Sequence, residues 1–178
     1  MLNRKGIVSG GDSAGQNRVL SQVVMMGRVA NVFAFVRMTD GSFLLVQTGR
    51  GNWGFAGGQV DKTDSSSWKA VLREFFEEVC SNLPFITGDM SGSTQVEPLK
   101  FHWPHRDGSF SGFYCGKTQT SFEELSGNFR PSHEITAIRS VSIAELRQMV
   151  NETHPSMRLR PCAIESTRAL LNALGFYE

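Results

Sequence analysis

Nothing in this chain approaches the roughly 18 consecutive apolar residues that a membrane-spanning helix needs, and no apolar signal-peptide core follows the start. No membrane partner is therefore expected. Cysteine is scarce as well. Cys80, Cys115 and Cys162 are odd in number, far apart, and lack the paired spacing of a zinc site, so they are expected as reduced thiols in an intracellular protein, in cytoplasm or nucleus. A charge excess is missing too. Eighteen Lys and Arg against 17 Asp and Glu leave a net charge of +1, so no global field recruits nucleic acid, although a local basic patch still can. There are no internal repeats and no low-complexity tract. What remains is 178 residues with 40% hydrophobic content, enough to bury the core of one domain.

The first 28 residues are rich in Gly, Ser and Asn, with Arg4, Lys5, Arg18 and Arg28 against Asp12 alone. A mitochondrial transit peptide is basic and acid-poor in this way, but it is also amphipathic, and Gly6, Gly10, Gly11 and Gly15 interrupt that pattern. Residues 1–28 are read as a flexible arm in preference to an organelle address. Beyond it, the bulky apolar runs 31–37 and 42–47, separated by Thr39-Asp40-Gly41, predict a hairpin in a buried sheet. Residues 48–64 hold five glycines and read as a loop. A helix is predicted from about Ser66 to Val79, with Ser65–Ser67 available as caps. Residues 81–97 are polar and turn-rich, with an apolar break at 83–86. Strands follow near 99–103 and 112–115, joined by the turn Arg106-Asp107-Gly108, and again over 134–141. Ser142–Val150 reads as a short helix whose Ser142 and Glu145 form a capping box. Arg160–Leu174 closes the chain as an amphipathic helix ending at Gly175. Mixed strands with a helix in the middle and another at the end make an α/β layered domain.

The most informative segment is Arg73-Glu74-Phe75-Phe76-Glu77-Glu78, inside the first helix and after Gly57-Gly58. Spacing of i, i+3, i+4 puts the three glutamates on one face, where like charges repel. A bound divalent cation removes that penalty, since Mg²⁺ is held by a few carboxylates together with substrate phosphates. The other side carries Trp68, Leu72, Phe75, Phe76 and Val79, an apolar stripe suited to a core. Three glutamates alone also suit an acidic, solvated helix; the surrounding residues decide against it.

A Gly-Gly turn, a loop and then Arg-Glu-x-x-Glu-Glu on a helix resemble the box of the Nudix hydrolases, which cleave nucleoside diphosphates linked to another moiety. The resemblance departs from the usual box in two places. One extra residue precedes Arg73, so the first box Glu falls near Asp64 or Ser65, and the final Gly is Cys80. Gly54-Phe55-Ala56-Gly57-Gly58-Gln59-Val60-Asp61 with a long box loop is similar to the branch that decaps small nucleolar RNA in the nucleus and hydrolyses inosine diphosphate. The similarity continues at Phe113-Tyr114, at Phe122-Glu123-Glu124-Leu125, over 134–143 and over 166–174, and covers residues 30 to 178. It implies the Nudix fold, a mixed β-sheet sandwiched between helices, over a domain at 29–178.

By that resemblance Glu74, Glu77 and Glu78 ligate Mg²⁺ or Mn²⁺, joined by a backbone oxygen of Gly57. Arg73 orients a carboxylate and ties the box loop down, with Asp64 as the candidate partner. Glu134, at the start of a later strand, is implied as a further ligand or general base from across the cleft. Glu78, Glu134 and Arg73 are thus the catalytic candidates. Phe55 and Gly58 are the substrate-binding candidates; Phe55, like Trp53, suits stacking on a base and suits the core equally. Phe33 stands where the decapping relatives carry a base-contacting residue of another type, so their purine preference does not carry over. His102, His105 and Arg106 read as a solvated loop, and Cys80 as a small buried residue with no paired His to make it a nucleophile.

The reading is a metal-dependent hydrolase of a nucleoside diphosphate derivative, acting on the RNA 5′ cap (decapping), on (deoxy)inosine diphosphate, or on both. ADP-ribose or dinucleoside polyphosphates are the alternative substrates, and a Nudix-fold protein that binds RNA or nucleotide without cleaving it is the alternative class. Departures from the box keep that last class open; the retained Arg73, Glu74, Glu77 and Glu78 argue against it. The expected partners are a nucleotide or a capped RNA end, and the resemblance implies a homodimer.

Overall fold

The computed structural model describes residues 7–9, 27–79, 85–86 and 99–176. Its centre is β2 (Val29–Arg37), whose side chains alternate between two apolar layers. Val32, Ala34 and Val36 join one cluster, while Phe33 and Phe35 pack with the other. A strand buried on both faces must be apolar throughout, and this one nearly is. Along one edge β2 pairs in parallel with β8 (Phe110–Thr118). Along the other it pairs antiparallel with β5 (Ala56–Gln59) and, only at Arg37↔Phe43, with β3 (Phe43–Thr48). The expected hairpin of 31–37 and 42–47 therefore exists only at its turn. Strand β5 claims the rest of that edge and so carries the glycines to the middle of the sheet. Beyond β8 lie β7 (Leu99–Pro104) and then β1 (Ile7–Ser9), so part of the expected arm is a sheet strand. β4 (Trp53–Gly54) and β9 (Ile135–Val141) both pair with β3, and β6 (Phe85–Ile86) pairs with β8.

Helices cover both faces, which gives the expected mixed sheet between helical layers. α1 (Ser67–Val79) buries Ala70, Val71, Phe75 and Val79 against the Val32 side. Ser66 starts it, with its Oγ accepting from the Lys69 N–H at 3.2 Å. Phe76 departs from the expected stripe. One residue turns a helix by about 100°, so with Phe75 aimed at the sheet Phe76 faces outward and is 56% exposed. α2 (Phe122–Asn128) is a short helix begun by Ser121, whose Oγ accepts from the Glu124 N–H. α3 (Ile143–Val150) starts with the expected capping box of Ser142 and Glu145. The last helix, α4 (Ile164–Ala173), begins later than expected because Pro161–Ala163 forms a 3-10 turn first. α3 and α4 bury Leu146, Met149, Leu170 and Leu171 in the aromatic cluster on the Phe35 side. Cys80 and most of 81–97 lie outside the described residues, as does the reading of Cys80 as buried.

Candidate active site

The Gly-Gly turn exists because two groups crowd it. Gly57 has φ of +147°, and a Cβ there would stand 2.0 Å from the Val32 carbonyl oxygen on β2. No other residue fits that crossing. A Cβ on Gly58 would stand 2.5 Å from the Glu74 carboxylate. Bare backbone at both positions lets α1 lay its acidic face directly on β5, with two results: the Gly57 N–H donates to Glu78 Oε2 at 2.7 Å, and Glu74 sits over Gly58.

Arg73 is the tie of the box loop. Its Nε and Nη2 fork the Asp64 carboxylate at 3.2 and 2.9 Å, and Nη2 also reaches the Gln59 carbonyl at 3.1 Å. Asp64 is thus the loop carboxylate the long box supplies, its side chain 6% exposed. The hydrogen bond from Arg73 holds its pKa below the ordinary aspartate value. Nη1 contacts Glu74 at 2.9 Å and Glu77 at 3.2 Å. With Asp61 at 3.7 Å, one guanidinium spans four carboxylates, and Asp64 and then Glu74 raise its pKa.

Burial governs the two inner glutamates. Desolvation raises the Glu74 pKa although Arg73 stands beside it. It pushes Glu78 up to about 7, more than the Gly57 N–H and the charge of Arg160 can offset, and Glu74 and Glu134 add repulsion. Glu77 lies on the rim with its side chain 56% exposed. Glu134 precedes β9 with its side chain 76% exposed, 3.6 Å from His133 Nε2.

Among the described residues no three carboxylates, histidines or cysteines converge into a ready-made metal cage. Arg73 engages Glu74 and Glu77, and the Glu134 side chain lies in solvent. The donor chemistry nevertheless fits a hard divalent cation. Two partly buried carboxylates repel each other, a third adds to the repulsion, and one of them is poised to hold a proton at neutral pH. A cation offsets all three penalties with oxygen ligands, the kind Mg²⁺ and Mn²⁺ take.

An aromatic cavity of about 270 Å³ has Phe33, Phe55, Trp103, Phe113, Asn31 and Arg160 in its wall, and the charge of Arg160 is felt by Glu78. Phe33 stacks on Phe113 with centroids 5.2 Å apart, and Phe55 meets Phe113 edge-on at 6.1 Å. Phe55 is both core and cavity wall. Trp53 belongs to the buried core. His102 is not in a loop: it lies on β7, buried, with its pKa lowered by desolvation. His105 bonds Ser111 Oγ at 2.8 Å, and both line the cavity. Asn31 and His105 also line a wider cleft of about 680 Å³ that carries Arg28 and Arg106. Sequence reasoning missed Trp103, Ser111 and Arg160 because sheet register and the final turn, rather than a local motif, bring them here.

Solved structures share this fold at low identity. An Ap4A hydrolase of C. elegans, in a binary complex, is 14% identical over 83% of this chain and 99% of its own, with a TM-score of 0.54. The Nudix hydrolase RenU of M. smegmatis is 15% identical over 85% and 89%, with a TM-score of 0.54. The MutT protein of Methanosarcina mazei Go1 is 19% identical over 84% and 97%, with a TM-score of 0.52. No curated protein matches the chain significantly in sequence. The family model of the NUDIX domain matches residues 27–159, the span that holds the glycine turn, the box helix and the aromatic residues of the cavity. The chain belongs to the NUDIX family of pyrophosphohydrolases.

Proposed function

We propose that the protein is a divalent-metal-dependent hydrolase that cleaves the phosphoanhydride of a nucleoside diphosphate derivative, with capped RNA 5′ ends and (deoxy)inosine diphosphate as its substrates. The observation that carries the reading is the placement of Glu78. Its half-buried carboxylate rests on the Gly57 N–H and feels the charge of Arg160, which stands in the wall of a cavity together with Phe33, Phe55 and Phe113. An aromatic slot linked through that arginine to a carboxylate face suits a base attached to a diphosphate.

Glu74 and Glu78 would hold the cation, with Glu77 and Glu134 at its edges and a backbone oxygen of Gly57 available. When bound, such a cation offsets diphosphate charge and acidifies the attacking water. Glu78 holds a proton near neutrality in the metal-free protein because burial raises its affinity for one, and would release it on taking up the cation. Arg73 holds the loop and the first turn of the acidic face in place. Phe55 and Phe113 fix the base, so the bond to be cleaved is presented at a constant distance from Glu78.

Dinucleoside polyphosphates and ADP-ribose form a second reading, favoured by one observation. The aromatic cavity and the wider basic cleft share Asn31 and His105, so a substrate with groups on both sides of its diphosphate finds room for each. Capped RNA uses the same room. The homodimer implied by the resemblance to the decapping branch belongs to this proposal, and light scattering tests it against the 19.7 kDa of one chain. The deciding experiment is release of phosphate or nucleoside monophosphate from capped RNA, inosine diphosphate, ADP-ribose and diadenosine polyphosphates, with Mg²⁺ and with Mn²⁺. Capped RNA or inosine diphosphate should lead; hydrolysis of none of the four overturns the proposal.

A further inference from the structure

Arg160 is a partly buried cation with no ion-pair partner among the described residues. Its main chain is fastened to β4: the Arg160 N–H donates to the Trp53 carbonyl at 2.9 Å, and the Trp53 N–H donates to the Arg158 carbonyl at 2.9 Å. The side chain then lies flat on Gly54, where a Cβ would stand 3.1 Å from Nε and 3.5 Å from Cζ. Gly54 thus leaves a berth for the guanidinium at the wall of the aromatic cavity. Nε is fully buried and makes no hydrogen bond, and no carboxylate of the described residues comes within ion-pairing distance. Glu78, which feels its charge, is already engaged by the Gly57 N–H.

Such an arrangement costs stability. A buried donor left unpaired costs about 1–3 kcal/mol, and more when charged, and a hydrophobic residue would fill the berth at lower cost. An anionic ligand reverses the sign, because a guanidinium presents a planar fork that matches phosphate oxygens. Position narrows the choice of anion. Arg160 shares a wall with Phe33, Phe55 and Phe113 on one side and is felt by Glu78 on the other. A phosphate there is bonded to whatever occupies the aromatic slot.

We propose that Arg160 and the Gly54 berth form a phosphate subsite, in which the guanidinium grips the nucleoside-bearing phosphate of the substrate while the slot takes the base. The inference rests on the nucleotide reading above and adds a substrate-binding residue that lies outside the box. It also gives Arg160 a role in choice of substrate, because a base without its 5′ phosphate forgoes this contact.

Two variants and two probes test it. Arg160→Gln removes the charge, and Arg160→Lys keeps the charge but not the fork. Binding of inorganic pyrophosphate in the presence of Mn²⁺, followed by calorimetry, reads the subsite whatever base the enzyme prefers. Arg160→Gln should weaken it at least tenfold, about 1.4 kcal/mol, and Arg160→Lys by an intermediate factor. On inosine diphosphate the Gln variant should raise KM at least tenfold, while the affinity for inosine itself stays within twofold. Melting curves confirm that each variant is folded; a Gln variant that does not fold leaves the Lys variant to decide. Unchanged pyrophosphate affinity in a folded variant, or failure of the wild type to bind pyrophosphate, overturns the subsite. Failure of the wild type to hydrolyse any nucleotide overturns the functional reading alone, since the pyrophosphate measurement still stands.

Discussion

Arg73 forks Asp64, with Nε 3.2 Å from Oδ1 and Nη2 2.9 Å from Oδ2, across the nine residues of chain that separate loop from helix. The pair fixes where the box loop returns to α1. A lysine has one point charge and cannot make both contacts while also reaching Glu74 and the Gln59 carbonyl. Arg73→Lys is expected to cost about 2 kcal/mol of stability, in the range of lost charge-assisted hydrogen bonds, and to lower turnover because the acidic face loses its anchor. Asp64→Asn should reproduce the stability loss with a smaller effect on turnover. Melting curves and steady-state rates check both; an unchanged melting temperature for both variants would show that the fork holds nothing.

The box helix was legible because its chemistry is local. Three glutamates and an arginine within six residues declare a face, and a Gly-Gly turn declares a close backbone crossing. Asp64 was found on the same ground, as the acid available in the long loop. The Phe33–Phe113 stack was not, because it depends on the parallel register of β2 with β8, set by chain far from both residues. Phe76 stands at the edge of the expected apolar stripe, and its neighbour Phe75 already fills the buried direction. Arg160 had no signal in sequence: an arginine before a proline reads as a surface residue until β4 is seen to pin its backbone.

The glycines give a prediction with two different outcomes. At Gly57 an added methyl meets backbone, and φ of +147° is closed to other residues. Gly57→Ala should cost more than about 4 kcal/mol, because a clash with the Val32 carbonyl adds to backbone strain of about 1–3 kcal/mol, and yield little folded protein. At Gly58 the obstacle is the end of the Glu74 side chain, which can move. Gly58→Ala should fold within about 1 kcal/mol of wild type and lose roughly tenfold in metal affinity, since displaced ligands cost about that much. Soluble yield and metal titration separate the two, and a Gly58→Ala protein with wild-type metal affinity would free Glu74 from its assigned place.

Acidity at Glu78 couples fold to pH and to metal. Its folded pKa, about 7, lies above the ordinary 4.5, so the folded protein holds this proton more tightly than the unfolded chain. The stability it gives is complete below pH about 4.5 and is lost as pH rises through 7, by about 3 kcal/mol at most. The metal-free protein should therefore melt lower at pH 8 than at pH 6. Glu78→Gln should remove much of that slope and raise the metal-free melting temperature at pH 8, while reducing turnover by more than about 100-fold, beyond what loss of an outer-shell group costs. Mn²⁺ or Mg²⁺ should stabilise the wild type more at pH 8 than at pH 6, because the ligand must be deprotonated. Equal stabilisation at both pH values, or full activity in the Gln variant, would take Glu78 out of the metal site.

Glu134, proposed to complete the acidic face from a different element, has a backbone better fixed than its side chain. The carbonyl accepts from the Gly49 N–H at 2.9 Å and the N–H donates to Ser132 Oγ at 3.2 Å, while the carboxylate stands in solvent beside His133. Replacing that carboxylate with an amide should change stability by less than about 0.5 kcal/mol, as exposed substitutions do. Its charge nevertheless adds to the rise of the Glu78 pKa. A group in that position, helping to hold the cation or to orient water, is needed most when charge shifts on phosphorus. Glu134→Gln should therefore lower kcat by about tenfold to 100-fold, the span of outer ligand losses, and change KM little. The effect should stay smaller than that of Glu78→Gln, since Glu74 and Glu78 still hold a cation without it. A variant whose kcat stays within twofold of wild type, or whose loss falls entirely on KM, would return Glu134 to the role of a strand-edge acid.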